Sequence, residues 1–208
     1  MTGPTSSRPN LLVPILVVVL GALVLCGSAG SALWVGLSNS GTRKVQVDSN
    51  SLPAVCGLVP ADLISRLVPG ATAEDKPDIY PTRLQTTKGC DADTGYTGDR
   101  IAQLRIKVDR YGTFHDYPPR EHAKRDFISD KNLAPKLSTG QPKDVAGLGD
   151  SAFVAIDPKP VGNYNRAQVN VLRGDVIVEV TYSANPSSPD LVAAAAVTVA
   201  RAVLEKLR

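Results

Sequence analysis

The chain has 208 residues and a formal net charge of +3. All 20 acidic residues and 22 of the 23 lysines and arginines follow residue 40, so that part carries only about +2, too little for a nucleic-acid footprint. Aromatic residues make up 5% with Trp34 the sole tryptophan, which leaves no stacking platform for bases or sugars.

Residues 1–10 form a short polar tail, expected on the cytoplasmic side. Residues 11–37 carry no charge, and 12 of the first 15 are Leu, Val or Ile. At roughly −0.3 to −0.6 kcal/mol each these favour membrane insertion by about 4–7 kcal/mol. A helix of that length spans about 40 Å, more than the ~30 Å hydrocarbon core, so 11–37 reads as one transmembrane helix in the lipid bilayer. Three fates are open to it: retention as an anchor, cleavage at the small-x-small site Ala29-Gly30-Ser31, or lipidation at Cys26. The apolar run continues to Leu37, which favours retention, and Leu25 stands where a lipoprotein signal needs a small residue. The flanking charges, Arg8 against Arg43 and Lys44, slightly favour the inverse orientation, but long domains translocate largely regardless of charge.

Residues 38–51 read as a polar linker and 52–208 as one extracytoplasmic domain of ordinary size. Pro60 suits the start of a helix whose Leu63, Ile64, Leu67 and Val68 share a face, stopped by Pro69-Gly70. Between Thr82 and Gly98 only short, weakly patterned strands are expected. The alternation after Ile101 places Leu104, Ile106 and Val108 on one side and Gln103, Arg105 and Lys107 on the other, a half-buried antiparallel strand. Following Pro118-Pro119, an amphipathic helix is predicted with Ala123, Phe127 and Ile128 inward and Glu121 paired with Arg125. A glycine turn then feeds a strand at 152–156, and two strands meet in a hairpin at Arg173-Gly174-Asp175, with Val176, Val178, Val180 and Tyr182 sharing a face. The last helix has Ser188 as N-cap and Pro189 at its first position, with Thr198, Arg201, Glu205 and Arg208 on its polar stripe. The expected class is α+β, a mainly antiparallel sheet with packed helices.

Cys56 and Cys90 are the two cysteines beyond the apolar segment. Behind an export segment they read as a disulfide, which places the domain outside the cytoplasm; the alternative is two free thiols in a cytoplasmic domain. No C-x-x-C occurs, and His115 and His122 have no Cys or His at ligand spacing, so no metal and no cofactor are expected.

Five patterns invite a chemical reading. His115-Asp116 and His122-Asp126 would suit a general base with an orienting acid, but no Ser lies in a G-x-S-x-G context, and a solvated helix face is the plainer account. Gly147-Leu148-Gly149-Asp150 lacks the Lys-Ser/Thr of a phosphate loop and reads as a tight turn. Arg173-Gly174-Asp175 matches an adhesion tripeptide that hairpins also produce by chance. Asp75, Asp78, Asp91 and Asp93 make an acidic cluster without EF-hand spacing. The basic residues between Arg100 and Lys131 are interleaved with acids, as on a solvated face.

The order Cys56-Gly57-Leu58-Val59-Pro60-Ala61-Asp62-Leu63, then Cys90, then Val145-Ala146-Gly147-Leu148-Gly149-Asp150-Ser151-Ala152, a hairpin and a closing helix, resembles a family of actinobacterial exported domains of unknown function. These are lipoproteins or membrane-anchored proteins, and the order is similar in outline to the extracellular sensor domains of mycobacterial serine/threonine kinases. The likeness covers about 52–207. Leu25 departs from the family's lipobox, and Asp91-Ala92-Asp93 lacks the aromatic that usually follows the second Cys. The resemblance implies an α+β sheet domain with a disulfide and no known activity. The expectation is a non-enzymatic, single-pass membrane protein whose outer domain binds an unidentified envelope ligand or protein. The second reading is a structural or accessory subunit of an envelope complex.

Overall fold

Strict alternation in the middle and last third of the chain yields one seven-stranded sheet in the computed structural model of the protein. The structure describes residues 52–77, 84–95, 100–113, 116–137, 140–157 and 164–207. The expected tail, transmembrane helix and linker, with Asp78, His115 and Arg208, lie outside those residues. The chain divides into two units, Met1–Lys44 and Val45–Arg208, and every described residue belongs to the second. Among the described residues no helix is long and apolar enough to cross a membrane.

The strands are β1 (Glu74–Lys76), β2 (Gln85–Asp93), β3 (Ile101–Tyr111), β4 (Lys143–Asp144), β5 (Ser151–Ile156), β6 (Asn165–Arg173) and β7 (Val176–Asn185). The helices are α1 (Ala61–Leu67), α2 (Pro119–Leu133) and α3 (Pro189–Lys206). Strand order is β1-β2-β3-β7-β6-β5-β4 and every pairing is antiparallel. The fold is therefore α+β on an antiparallel sheet.

Register gives the sheet two chemically different faces. On the first, Leu104, Ile106 and Val108 of β3 align with Tyr182, Val180 and Val178 of β7. These pack with Val169 and Val171 of β6 into the main core, closed by Ile64 and Val68 of the α1 end and by Val192, Ala196, Val199 and Val203 of α3. Burying a Val side chain contributes about 1.5–3 kcal/mol, so this face carries most of the stability. Small residues let α3 approach the strands closely. Its N-cap is Ser188, whose hydroxyl accepts from the Leu191 N–H at 3.3 Å, with Pro189 next. The 52–59 segment covers the β2 side with Leu52, Val55 and Leu58, and a Cys56–Cys90 disulfide joins it to β2.

Two elements differ from expectation. β2 is a continuous nine-residue strand because Thr86, Cys90 and Ala92 point into the core between polar residues, a pattern that reads as noise in sequence. In α2, Ala123 and Phe127 are buried as expected, but Ile128 turns outward at 48% exposure. Arg125, expected to pair with Glu121, lies over the Tyr117 ring at 4.5 Å.

Candidate functional site

The second face of the sheet is built from the alternate residues of the same strands. Register sets Lys107 of β3 opposite Glu179 of β7, and Glu179 opposite Asn170 of β6. One step along, Arg105 stands opposite Asp91 and Thr181. Cross-strand charges pair there: Arg105 with Asp91 at 3.2 Å and Lys107 with Glu179 at 3.6 Å. Lys107 also reaches Asp109 on its own strand at 3.1 Å, and the Thr87 hydroxyl donates to Asp109 at 2.6 Å. Burial works against the Lys107 ammonium, but Asp109 and Glu179 outweigh it and hold its pKa above the ordinary lysine range.

α2 roofs one end of this polar face. Its inner stripe, at i, i+3, i+4 and i+7, is Ala123, Asp126, Phe127 and Asp130. Phe127 packs on Phe153 of β5 with ring centroids 5.4 Å apart, beside Leu172 and Ile177 in a second, smaller core. The Tyr111 hydroxyl bonds Asp126, and burial with the nearby carboxylates pushes the phenol far above its usual range. Burial and Glu179 push the Asp130 carboxyl up to about 6, against the opposing pull of Lys107.

Where α2 leans away from β4 and β5 a groove of about 470 Å³ opens. Phe127, Ala152 and Leu172 line its apolar floor, and Ile128 and Val145 line its sides. Lys124 and Lys131 stand at its edge. Lys131 is paired with Asp144. Among the described residues Lys124 has no ion-pair partner, so its ammonium faces the groove mouth unneutralised. That volume falls in the range of small-molecule and side-chain pockets, and apolar walls with one free charge are the usual means of fixing a ligand's orientation. A second hollow, of about 440 Å³, lies between the Gly147–Asp150 turn and α3 and is lined by Arg173, Arg201 and Glu205.

The residues singled out in the sequence are placed as follows. Cys56 and Cys90 are bonded to each other, with Cα atoms 5.0 Å apart. His122 turns Nδ1 to the Gly112 carbonyl at 3.2 Å and its ring edge-on to Tyr111 at 4.9 Å, while Asp126 takes the Tyr111 hydroxyl. The two side chains flank one tyrosine and lie partly buried, where a solvated surface was expected. Gly147–Asp150 is a tight turn, as expected. Its Asp150 carboxylate accepts the Gly174 N–H at 2.9 Å and pairs with Arg120 at 3.4 Å, tying the turn to the β6–β7 hairpin.

Arg173-Gly174-Asp175 is that hairpin's turn. Arg173 donates to the Leu204 carbonyl at 2.5 Å and Asp175 pairs with Arg110 at 3.7 Å, so both charges of the tripeptide hold the fold together. The described members of the acidic cluster are each engaged within the fold. Asp75 accepts the Cys56 N–H at 2.8 Å, whereas Asp91 and Asp93 belong to the polar face and serve Arg105, Gly95 and Gln103. Among the described residues no group of three or more such side chains is arranged to hold a metal ion.

The carboxylates beneath α2 and the groove beside it were not read from sequence. Two signals were present: Asp126 and Asp130 fall at helical spacing with Ala123 and Phe127, and Glu179 interrupts a run of valines. Charges on an otherwise inward stripe mean that the surface opposite is polar.

The fold is similar to a solved structure, the extracellular domain of PknH from Mycobacterium tuberculosis. The TM-score is 0.50 at 9% sequence identity, and the match covers 78% of this chain and 97% of that one. At that identity the likeness speaks to the fold, and it bears out the outline resemblance to kinase extracellular domains. No protein-family model and no curated protein matches the sequence.

Proposed function

We propose that this chain is a non-enzymatic, single-pass membrane protein of the actinobacterial exported type. Its 52–208 domain lies outside the cytoplasm and binds an envelope partner in the groove between α2 and β5. The observation that carries the reading is an apolar floor beside a free ammonium: Phe127, Ala152 and Leu172 next to Lys124. The occupant this fits is a peptide segment presenting an apolar side chain followed by a carboxylate, since the first leaves water for the floor and the second meets the charge. The uncharged run at 11–37 and the disulfide support an anchored domain in an oxidising compartment.

The test is affinity capture of the intact protein from native membranes, comparing wild type with Ile128→Asp and Lys124→Glu, and with Leu191→Asp on the exposed side of α3 as control. A partner retained by wild type and the control but lost by both groove variants is the expected result. Identical partner sets for all four proteins would refute the groove reading. Retention in fixed stoichiometry through detergent extraction would mark a stable subunit of a complex, the second reading.

A further inference from the structure

We propose that the carboxylates beneath α2 form a proton-operated seat for that helix: uptake of one proton at Asp130 tightens α2 on the sheet, and its release loosens the wall that α2 gives to the groove. The consequence for binding rests on the groove reading above; the seat itself does not.

The groups that act on Asp130 are Lys107 and Asp109 of β3, Glu179 of β7 and Asp126 of α2 itself; Tyr111 of β3 in turn feels the Asp130 charge, and Asn170 of β6 stands across from Glu179. Among the described residues that act most strongly on Asp130, three are carboxylates and one is an ammonium. Their hydrogen bonds are unequally distributed. Asp109, with a side chain only 4% exposed, pairs with Lys107 at 3.1 Å and accepts the Thr87 hydroxyl at 2.6 Å. Asp126 has the Tyr111 hydroxyl. Glu179 shares Lys107 at 3.6 Å, a looser contact than the one Lys107 makes with Asp109. Asp130 is left half-buried among like charges, and a proton is the cheapest way to relieve that repulsion.

A second observation is independent of charge. Asn170 is 1% exposed, and among the described residues its Oδ1 has no hydrogen-bond partner. It sits directly across from Glu179. A buried acceptor left unmade costs about 1–3 kcal/mol. The cluster is rich in acceptors and poor in donors, and a protonated carboxyl supplies an O–H where one is missing. The proton comes from solvent, and no other bond changes.

The sign follows from the Asp130 carboxyl, raised to about 6 from an ordinary 3.8. Seating gained by protonation is complete below the ordinary value and is lost as pH rises through about 6. α2 is therefore looser at pH 7.5 than at pH 5.

The experiment is amide hydrogen exchange of α2 in the full chain in detergent at pH 5 and 7.5, corrected for intrinsic rates and referenced to β3. No ligand is needed, so this result stands apart from the fate of the groove. Protection of α2 should be several-fold higher at pH 5, with a ceiling of about tenfold for one group shifted to this extent. Asp130→Asn, which fixes the neutral form, should raise protection at pH 7.5 to the pH 5 level and flatten the dependence. Glu179→Gln should weaken the dependence and serves as the second variant should the first fail to fold. Equal protection of wild-type α2 at the two pH values would overturn the proposal, as would a full wild-type pH dependence in a folded variant. If the seat titrates but groove variants keep every partner, the seat is real and the groove reading is wrong.

Discussion

Gly147 and Gly149 both hold positive φ, 70° and 64°, in one turn, yet they answer to different demands. A Cβ on Gly147 would meet nothing within 4 Å. One on Gly149 would sit 2.5 Å from the Leu172 carbonyl oxygen and 2.6 Å from Val171 Cγ1. The first glycine is needed only for its backbone angle, the second also for the closeness of the turn to β6. Gly147→Ala should therefore cost about 1–2 kcal/mol, the left-handed penalty alone. Gly149→Ala should cost about 3 kcal/mol or more, because the turn must lift off β6 and with it the Asp150 carboxylate that holds Gly174. Urea unfolding of both variants checks this, and equal losses would mean that the turn yields without strain.

At the scale of elements, each helix stripe is matched to the face it covers. Ser188 caps α3 with its hydroxyl on the Leu191 N–H, and Ser188→Ala should lower stability by about 1 kcal/mol, readable as a shift in the thermal midpoint. In α2 the contrast between neighbours is sharper. Phe127 is buried against Phe153, so Phe127→Ala should cost about 3–5 kcal/mol in a urea titration. Ile128, outward at the groove, should tolerate Ala within about 0.5 kcal/mol in the same titration. Elements with a strict period were legible in the sequence: β3 with its alternating Leu104, Ile106 and Val108, the β6–β7 hairpin about Gly174, and α3 with its Ser188-Pro189 start. β1 and β4 were not, because strands of three and two residues take their conformation from a partner's register and carry no pattern of their own. α2 was legible as a helix and in its buried Ala123 and Phe127, but not in the outward turn of Ile128. An apolar stripe search assigns Ile128 inward, and only a sheet with a polar second face turns it outward and seats Asp130 on the inner stripe instead. The candidate site inherits that limit, since the groove lies where the two assignments differ.

For the whole molecule the chief asymmetry is between a sheet face closed by α1, α3 and the 52–59 segment and one covered by α2 at one end. The sheet's outer strands, Glu74–Lys76 and Lys143–Asp144, are short and charged, which discourages a further strand from adding to either edge. The closed face depends on the 52–59 segment staying in place over β2, and that segment is held in two ways. Leu52, Val55 and Leu58 are buried against the core, and the Cys56–Cys90 bond ties the segment to β2 across a separation of 34 residues. A cross-link closing a loop of that length stabilises by about 4 kcal/mol in the chain-entropy model. Asp75 adds a local tie by accepting the Cys56 N–H. Replacing both cysteines by alanine in the exported protein should then lower the urea midpoint by an amount equivalent to about 3–4 kcal/mol. The loss should show first as exchange in 52–59 and β2, with β6 and β7 protected until global unfolding. A loss below about 1 kcal/mol, with 52–59 still protected, would mean that the three apolar side chains alone hold the segment and that the disulfide adds little to this fold.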